Sequence, residues 1–333
     1  MTAVEPEVVR VLREFRAQLL LREELQMRQM ALRWLEVERA IEGAIRDLVA
    51  EIERMRQAGE TISLGKLTRM ERYRKLLAQA RVEYGRYEAW AAPMISRNQL
   101  LYGQLGLENA VTVLNTAYAE AGRLGLAFDR LPVRAVETMI GLAGDGTPLN
   151  RLLRQSWPEA VEGLTSALIT ATAQGWNPIR TAAAMRDGFG LGLNRSMNIA
   201  RTEQLRVARA ASQMQYEESG VVIGYKRFAS KDACAACLLA DGTFYPLGTI
   251  FEEHPSGRCN TIPVVAGMPP VEWQTGRDWF MEQDAATQRS ILGPGHYDAW
   301  KAGKFGLDDI VKRHVDPTWG ASLVTKPLRE LVH

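Results

Sequence analysis

The sequence predicts a mainly α-helical protein with a long N-terminal helical hairpin, a helical body, one small β unit and a short helical C-terminal tail. Three observations predict it. Apolar residues recur at steps of three and four in two stretches, 30 to 55 and 67 to 87, the spacing of one helix face. The chain turns β-rich abruptly at Gly220. All three cysteines fall in one window, 234 to 259, inside that β-rich stretch.

Residues 5 to 58 read as one long helix. Its second half carries the stripe Met30, Trp34, Val37, Ile41, Ile45, Leu48, Ile52, Met55, and Gly59 is a fitting stop. A second helix follows with Leu67, Met70, Tyr73, Leu77, Ala80, Tyr84 and Tyr87 on one face, which predicts an antiparallel hairpin with those tyrosines in its core. The opposite faces are dense in Arg and Glu, the usual pattern of a solvated face. Pro93, Gly103 and Gly106 are expected to break the pattern, with a further helix over 107 to 121 ended by Gly122.

Pro132 and Pro158 each suit the first turn of a helix, 141 to 148 (GLAGDGTP) is a loop by composition, and Gly175-Trp176-Asn177-Pro178 stops one helix and starts the next. The glycines of 187 to 194 predict a flexible link, after which Asn194 caps a helix running to Ser219. Val221 to Phe228 and Asn260 to Val265 read as strands, and Pro263 places the second at a sheet edge. Beyond Pro269-Pro270 the tail is expected as short helices, about 276 to 292 and 307 to 314, with Trp279 and Phe280 in its core. The predicted units are therefore 1–130 (hairpin and helical region), 131–220 (helical body), 221–266 (β unit) and 267–333 (tail).

At 333 residues, 46% hydrophobic and 24% charged, the chain can build real cores. No apolar run is long enough for a bilayer, and the start, MTAVEPEVVR, lacks the apolar region of a secretory signal. The expected starting compartment is the cytoplasm. A net charge of +2 argues against a DNA-coating polycation. Of the 41 basic residues 8 are lysines and 33 arginines, for which GC-rich codon usage is the bland explanation. Three cysteines, an odd number, argue against a disulfide framework.

The chemistry lies in Asp232-Ala-Cys234-Ala-Ala-Cys237 and His254-Pro-Ser-Gly-Arg-Cys259, with Asp241-Gly242 as a turn between them. Cys234 and Cys237 form a C-x2-C knuckle, and the spacing of His254 and Cys259 lets both reach the same centre. Three thiolates and one imidazole make a closed tetrahedral Zn2+ shell, which is structural because it leaves no open position for a substrate. Such an ion would staple a segment poor in apolar residues, giving a β/zinc-knuckle unit. Reduced cysteines in a small β-hairpin are the competing reading. A redox C-x2-C lacks the surrounding βαβ pattern. A nuclease would need a histidine pair or carboxylates around a second metal; Glu252 and Glu253 adjoin His254, but His296, His314 and His333 lie far down the chain.

In order along the chain stand Ala200-Arg201-Thr202-Glu203, Gly220-Val221 leading to Tyr225-Lys226-Arg227, Asp232-x-Cys234-x2-Cys237, Asp241-Gly242 and His254-Pro255-x-Gly257-Arg258-Cys259. This order resembles the MuF-like head-morphogenesis domain of tailed bacteriophages, typed by an ARTE-like helix, a C-x2-C and a terminal HP-x-CRC or HPxGRC box. The resemblance covers about 150 to 266. The tail is similar to that of siphophage minor head proteins at Thr275-Gly276-x-Asp278-Trp279-Phe280, Gln288-x2-Ile291-Leu292-Gly293, Trp300-x2-Gly303 and Trp319-Gly320. The commoner box has a cysteine two residues after the proline; here Gly257 precedes Arg258 and only Cys259 remains, so the set is Cys3His with no spare.

The resemblance implies a non-enzymatic minor head (capsid) protein, made in the host cytoplasm and bound to the portal protein inside the head near the portal vertex. It would act in head morphogenesis, genome packaging or ejection. Major capsid or scaffold protein and phage DNA are secondary partners, and no membrane is involved. The alternative is a zinc-containing nuclease or effector enzyme carried in the virion, although only a short tail follows the MuF-like unit. Arg201 and Glu203 are read either as a buried polar clamp between helix and knuckle or as an ordinary charged face; Asp232 and Arg258 complete the structural motif.

Overall fold

The computed structural model describes residues 5–123, 128–317 and 319–332. Two helices dominate it. α1 (Glu7–Gln57) and α3 (Glu71–Glu120) are 51 and 50 residues long, each some ~75 Å at 1.5 Å per residue. Between them lie Gly59, at φ +78° where a side chain would be strained, and the one-turn α2 (Leu64–Leu67), capped by Ser63. The long helices run antiparallel. At one end the Glu7 amide donates to Glu120 (2.6 Å), further along the Tyr102 hydroxyl donates to the Leu19 carbonyl (3.0 Å), and at the far end Arg72 pairs with Asp47 and Glu51 (3.4 and 3.1 Å). Near the middle Trp34 meets Tyr87 and Tyr84 edge-on at 5.1 and 6.0 Å and stacks on Phe189 at 5.1 Å. The expected hairpin and its tyrosine core are present, and Tyr73, Tyr84 and Tyr87 are all buried.

Pro93, Gly103 and Gly106 do not interrupt α3, which runs through all three, and 107 to 121 is not a separate helix. Packing overrides propensity here: Ala91, Met94 and Ile95 are buried around the proline, and a helix gains most of its stability from such a face. The glycines serve a helix crossing. A Cβ on Gly106 would stand 2.2 Å from the Ala208 carbonyl oxygen, and one on Gly103 2.9 Å from Val136 Cγ2. Close approach brings the Ser212 hydroxyl to the Gly106 carbonyl at 3.0 Å.

The body comprises a 3-10 turn at Val133–Met139, α4 (Leu149–Arg154), α5 (Ser156–Ala173), α6 (Pro178–Phe189) and α7 (Leu191–Glu218). Asn177 caps α6 through Arg180 N, with Pro178 in the first turn as expected. The flexible link over 187 to 194 is absent: α6 passes to α7 at the single residue Gly190, and Asn194 lies inside α7 rather than capping it. The glycines again mark close contact. Gly163 of α5 and Gly188 of α6 approach so nearly that a Cβ on either would stand 2.1 to 2.3 Å from the other's carbonyl oxygen.

After α7 the chain forms a three-stranded antiparallel sheet in the order β2-β1-β3, from β1 (Val222–Phe228), β2 (Phe244–Pro246) and β3 (Asn260–Val265), with α8 (Ala235–Leu239) between the first two. β3 is an edge strand, so Pro263 costs no ladder bond on its open side. The tail holds α9 (Gly276–Glu282), α10 (Ala285–Leu292) and α11 (Pro294–Lys301). It is not all helical. Where a helix over 307 to 314 was expected, a 3-10 turn (Leu307–Ile310) leads into the hairpin β4 (Val311–Asp316) and β5 (Gly320–Thr325). Phe280 is buried in the tail's core and Trp279 is partly buried against it, beside Leu307 and Ile310. Among the described residues no helix is long and apolar enough to cross a membrane.

Candidate metal centre

Cys234 ends the loop after β1 and stands at the N-terminus of α8, whose first turn carries Cys237 inward. His254 and Cys259 flank the HPSGRC loop that leads into β3. The four side chains converge. Ligand atoms of Cys234, Cys237 and His254 lie within 4.8 Å of one another, and so do those of Cys237, Glu253 and Cys259. Cys237 belongs to both groups. Cys234 Sγ stands 3.5 Å from His254 Nε2, matching the ~3.5 Å edge of a tetrahedron with Zn–S about 2.3 Å and Zn–N about 2.0 Å. His254 Nδ1 is 2.9 Å from the Pro255 carbonyl; donating there leaves the Nε2 lone pair on the cysteine side, the arrangement usual for a metal-bound imidazole.

Cys234 and Cys237 push each other's ionisation in opposite directions. Cys234 is pulled down to about 4 by the Cys237 thiol, against burial, with His254 assisting. Cys237 is pushed up strongly by Cys234, by Cys259 and by burial. His254 is raised to about 9, first by Cys234, against burial, and by Glu253. Thiols and an imidazole gathered this closely are a donor set that a cation could hold together.

Glu253 offers a fifth ligand atom, Oε1, 3.5 Å from Cys237 Sγ. That carboxylate is already engaged: Oε2 takes 3.0 Å from Arg227 Nη1, and Oε1 accepts the His254 amide at 3.1 Å. It is thus placed to orient the site, and Cys259 could serve as the fourth ligand. Gly257 makes room for it, since a Cβ there would stand 2.3 Å from Glu253 Oε1. Burial raises Glu253, but Arg227 and Arg209 overcome this and hold it below the usual carboxylate range. Arg227 is fully buried on β1, 4.2 Å over the Phe251 ring, and donates to the Glu252 carbonyl. Arg209 of α7 donates to the Gly257 carbonyl at 3.1 Å. Three thiolates around a divalent cation would leave one negative charge and Glu253 would add a second, which the two buried guanidiniums of Arg227 and Arg209 could balance.

The motifs that lie far apart in the chain meet here. Thr202 Oγ1 accepts the Ser256 amide at 3.0 Å, and Ser256 Oγ is 2.5 Å from Asn198 Oδ1. These contacts hold Ser256 at φ +58°, left-handed for a non-glycine residue. Arg201 Nε and Arg258 Nη2 both donate to Glu23 Oε1 of α1, at 2.9 and 2.6 Å. Arg201 thus joins helix to loop, but through a carboxylate of α1. Glu203 is buried yet does not reach the knuckle; it accepts 2.7 Å from Arg206, and burial raises it. Asp232 is exposed and pairs with Arg16 of α1 at 2.8 and 2.9 Å.

Sequence reasoning missed Glu23 and Arg209, and the roles of Arg227 and Asp241. Beyond its turn, Asp241 accepts from Ala229 N (2.8 Å), Trp273 Nε1 (3.1 Å) and Gly276 N (2.7 Å), tying the knuckle to α9. Glu23 had a signal. It stands in register with Leu12, Phe15, Leu19, Met27 and Met30 on the buried stripe of α1, where an acid must have a partner. Comparison of the chain with family models, with curated proteins and with solved structures gives no match.

Proposed function

We propose that this chain is a non-catalytic virion assembly protein, a minor head protein of a tailed bacteriophage, with one structural Zn2+ held by Cys234, Cys237, His254 and Cys259. The observation that carries the reading is the meeting of the two motifs on which the resemblance rests. The Ala200–Glu203 turn of α7 and the HPSGRC loop are bound to each other through Thr202 and Ser256, and to α1 through Glu23. Those residues build one junction, and the Cys/His cluster adjoins it through His254 and Cys259, which flank the same loop. The ion would contribute a staple, closing two chain segments that have few apolar residues of their own.

The neighbouring carboxylates favour structure over catalysis. Glu252 is taken by Arg313 (2.6 to 2.9 Å), Glu253 by Arg227 and Glu203 by Arg206, so none is left as a ready general base. The proposed partner is the portal protein, met from inside the head near the portal vertex, with capsid or scaffold protein and DNA as secondary contacts.

Three measurements test this reading. Elemental analysis of protein purified under reducing, chelator-free conditions should give one zinc per chain; absence of metal sinks the staple. Tagged chain should retain the portal protein from lysate of infected cells, and failure of the full-length protein to do so removes the portal assignment. Incubation with DNA and Mg2+, Mn2+ or Zn2+ should leave the DNA intact. Nicking lost in a folded His254→Ala variant would favour the nuclease instead.

A further inference from the structure

α1 carries two apolar faces. The one that includes Met27, Met30, Trp34 and Val37 is buried against the rest of the molecule. On the opposite side Leu21, Leu25, Leu32 and Leu35 are 61, 56, 56 and 42% exposed. Their steps of four, seven and three are those of a coiled-coil seam, with Arg28 filling the missing position between Leu25 and Leu32. At about 100° per residue the five lie within an ~80° arc. Four half-bare leucines on one straight edge, well inside a 51-residue helix, are an unpartnered seam and not scattered surface apolarity.

We propose that this seam is an interface between two copies of the chain, α1 lying antiparallel on α1 about a two-fold axis near residue 30. The sequence of the seam is self-complementary in that direction. Placing Leu25 opposite Leu35 of the second copy also sets each Arg28 opposite a Leu32, where its aliphatic stem packs and its head reaches water. Ala31, small enough for close approach, then faces Ala31 across the axis. On one flank Arg22 meets Glu36 of the second copy, a carboxylate that Arg33 already holds within its own chain. On the other flank Glu24 comes nearest Glu38 of the second copy, a like-charge contact softened because Glu38 is half-buried beside Arg186 of its own chain and because Arg39 follows it directly. A parallel pairing would instead put Arg28 on Arg28 and Arg39 on Arg39, like charges along the seam. The inference is independent of what the Cys/His cluster holds and of the portal assignment.

Sedimentation velocity of the full chain over the micromolar range should show a reversible dimer. The Leu25→Glu/Leu32→Glu variant changes only exposed positions, so its thermal melt should be unaltered, while dimerisation weakens by roughly tenfold or more. Mild oxidation of Ala31→Cys should give a dimer whose disulfide maps to position 31 of both copies. Leu21→Cys should not link to itself, because antiparallel pairing separates the two positions by about 27 Å. A wild-type chain that is monomeric throughout overturns the proposal. So does a dimer that survives the double glutamate variant, or self-linking of Leu21→Cys as fast as that of Ala31→Cys.

Discussion

The helical part of the molecule (hairpin and body, here together the body) and the β unit are held together by different physics. Around Trp34 the body is apolar and aromatic, and its closest crossings, at Gly106 and at Gly163–Gly188, bring backbone against backbone. The β unit has a small core of Tyr225, Cys237, Phe251 and Cys259 with few large aliphatics. What organises it is a set of buried polar hubs: Arg227 with Glu253, Asp241 with three donors, and Glu23 with two arginines. The body can fold by excluding water. The β unit must also satisfy each buried charge, so its geometry is specified sharply and its stability is sensitive to single partners.

The largest effect is expected in the body. Trp34→Ala removes a fully buried ring that touches Tyr84, Tyr87 and Phe189, and should lower global stability by about 3–5 kcal/mol in chemical denaturation. A loss below ~1 kcal/mol would mean that the aromatic cluster is not the centre of the body.

That contrast also explains what was legible beforehand. The hairpin and its tyrosine core follow from periodicity, because water exclusion acts on every residue of a stripe and leaves a repeating trace, and the two strands follow from their β-rich composition. Pro93, Gly103 and Gly106 were misleading because local rules see only a breaker, whereas buried neighbours carry α3 through Pro93 and the two glycines are set by contacts distant in the chain, Val136 and Val207 at Gly103 and Ala208 at Gly106. The hairpin at 311 to 325 was missed because its short, half-exposed strands carry little alternation. Cys234, Cys237, His254 and Cys259 were legible from chemistry and spacing. Glu253 and Arg227 were not, since a charged residue gains its role only from the partner it meets in space.

A second, intermediate effect sharpens the comparison at the junction of the two regions. Glu23 is 4% exposed and bridges Arg201 and Arg258. Glu23→Ala leaves two guanidiniums without their shared acceptor. Breaking a fully buried pair costs about 3–5 kcal/mol, but both arginines are about one-third exposed and water screens them, so about 2–3 kcal/mol is expected. The loss should be local. Hydrogen exchange ought to speed up in the 254–259 loop and the middle of α7 before the Trp34 cluster opens. Uniform acceleration through α1 and α3 would show that the junction and the body unfold as one unit.

The smallest effect tests whether polarity alone makes the β unit fragile, or polarity together with burial. Asp232 belongs to the same knuckle and also pairs with α1, through Arg16, yet its side chain is 65% exposed. Its carboxyl is lowered despite burial of part of the group, by Ser230 and by Arg16, so the carboxylate contributes above the ordinary aspartate range and the contribution fades as pH falls through the lowered value. Because water screens this pair, Asp232→Ala should cost below about 1 kcal/mol near neutral pH, and added salt should shrink the difference from wild type. At acid pH, where the wild-type carboxyl is protonated as well, the two proteins should denature together. A cost as large as that of Glu23→Ala, undiminished by salt, would mean that Asp232 is desolvated in solution. The partition between buried hubs and screened rim would then have to be redrawn with Asp232 among the hubs.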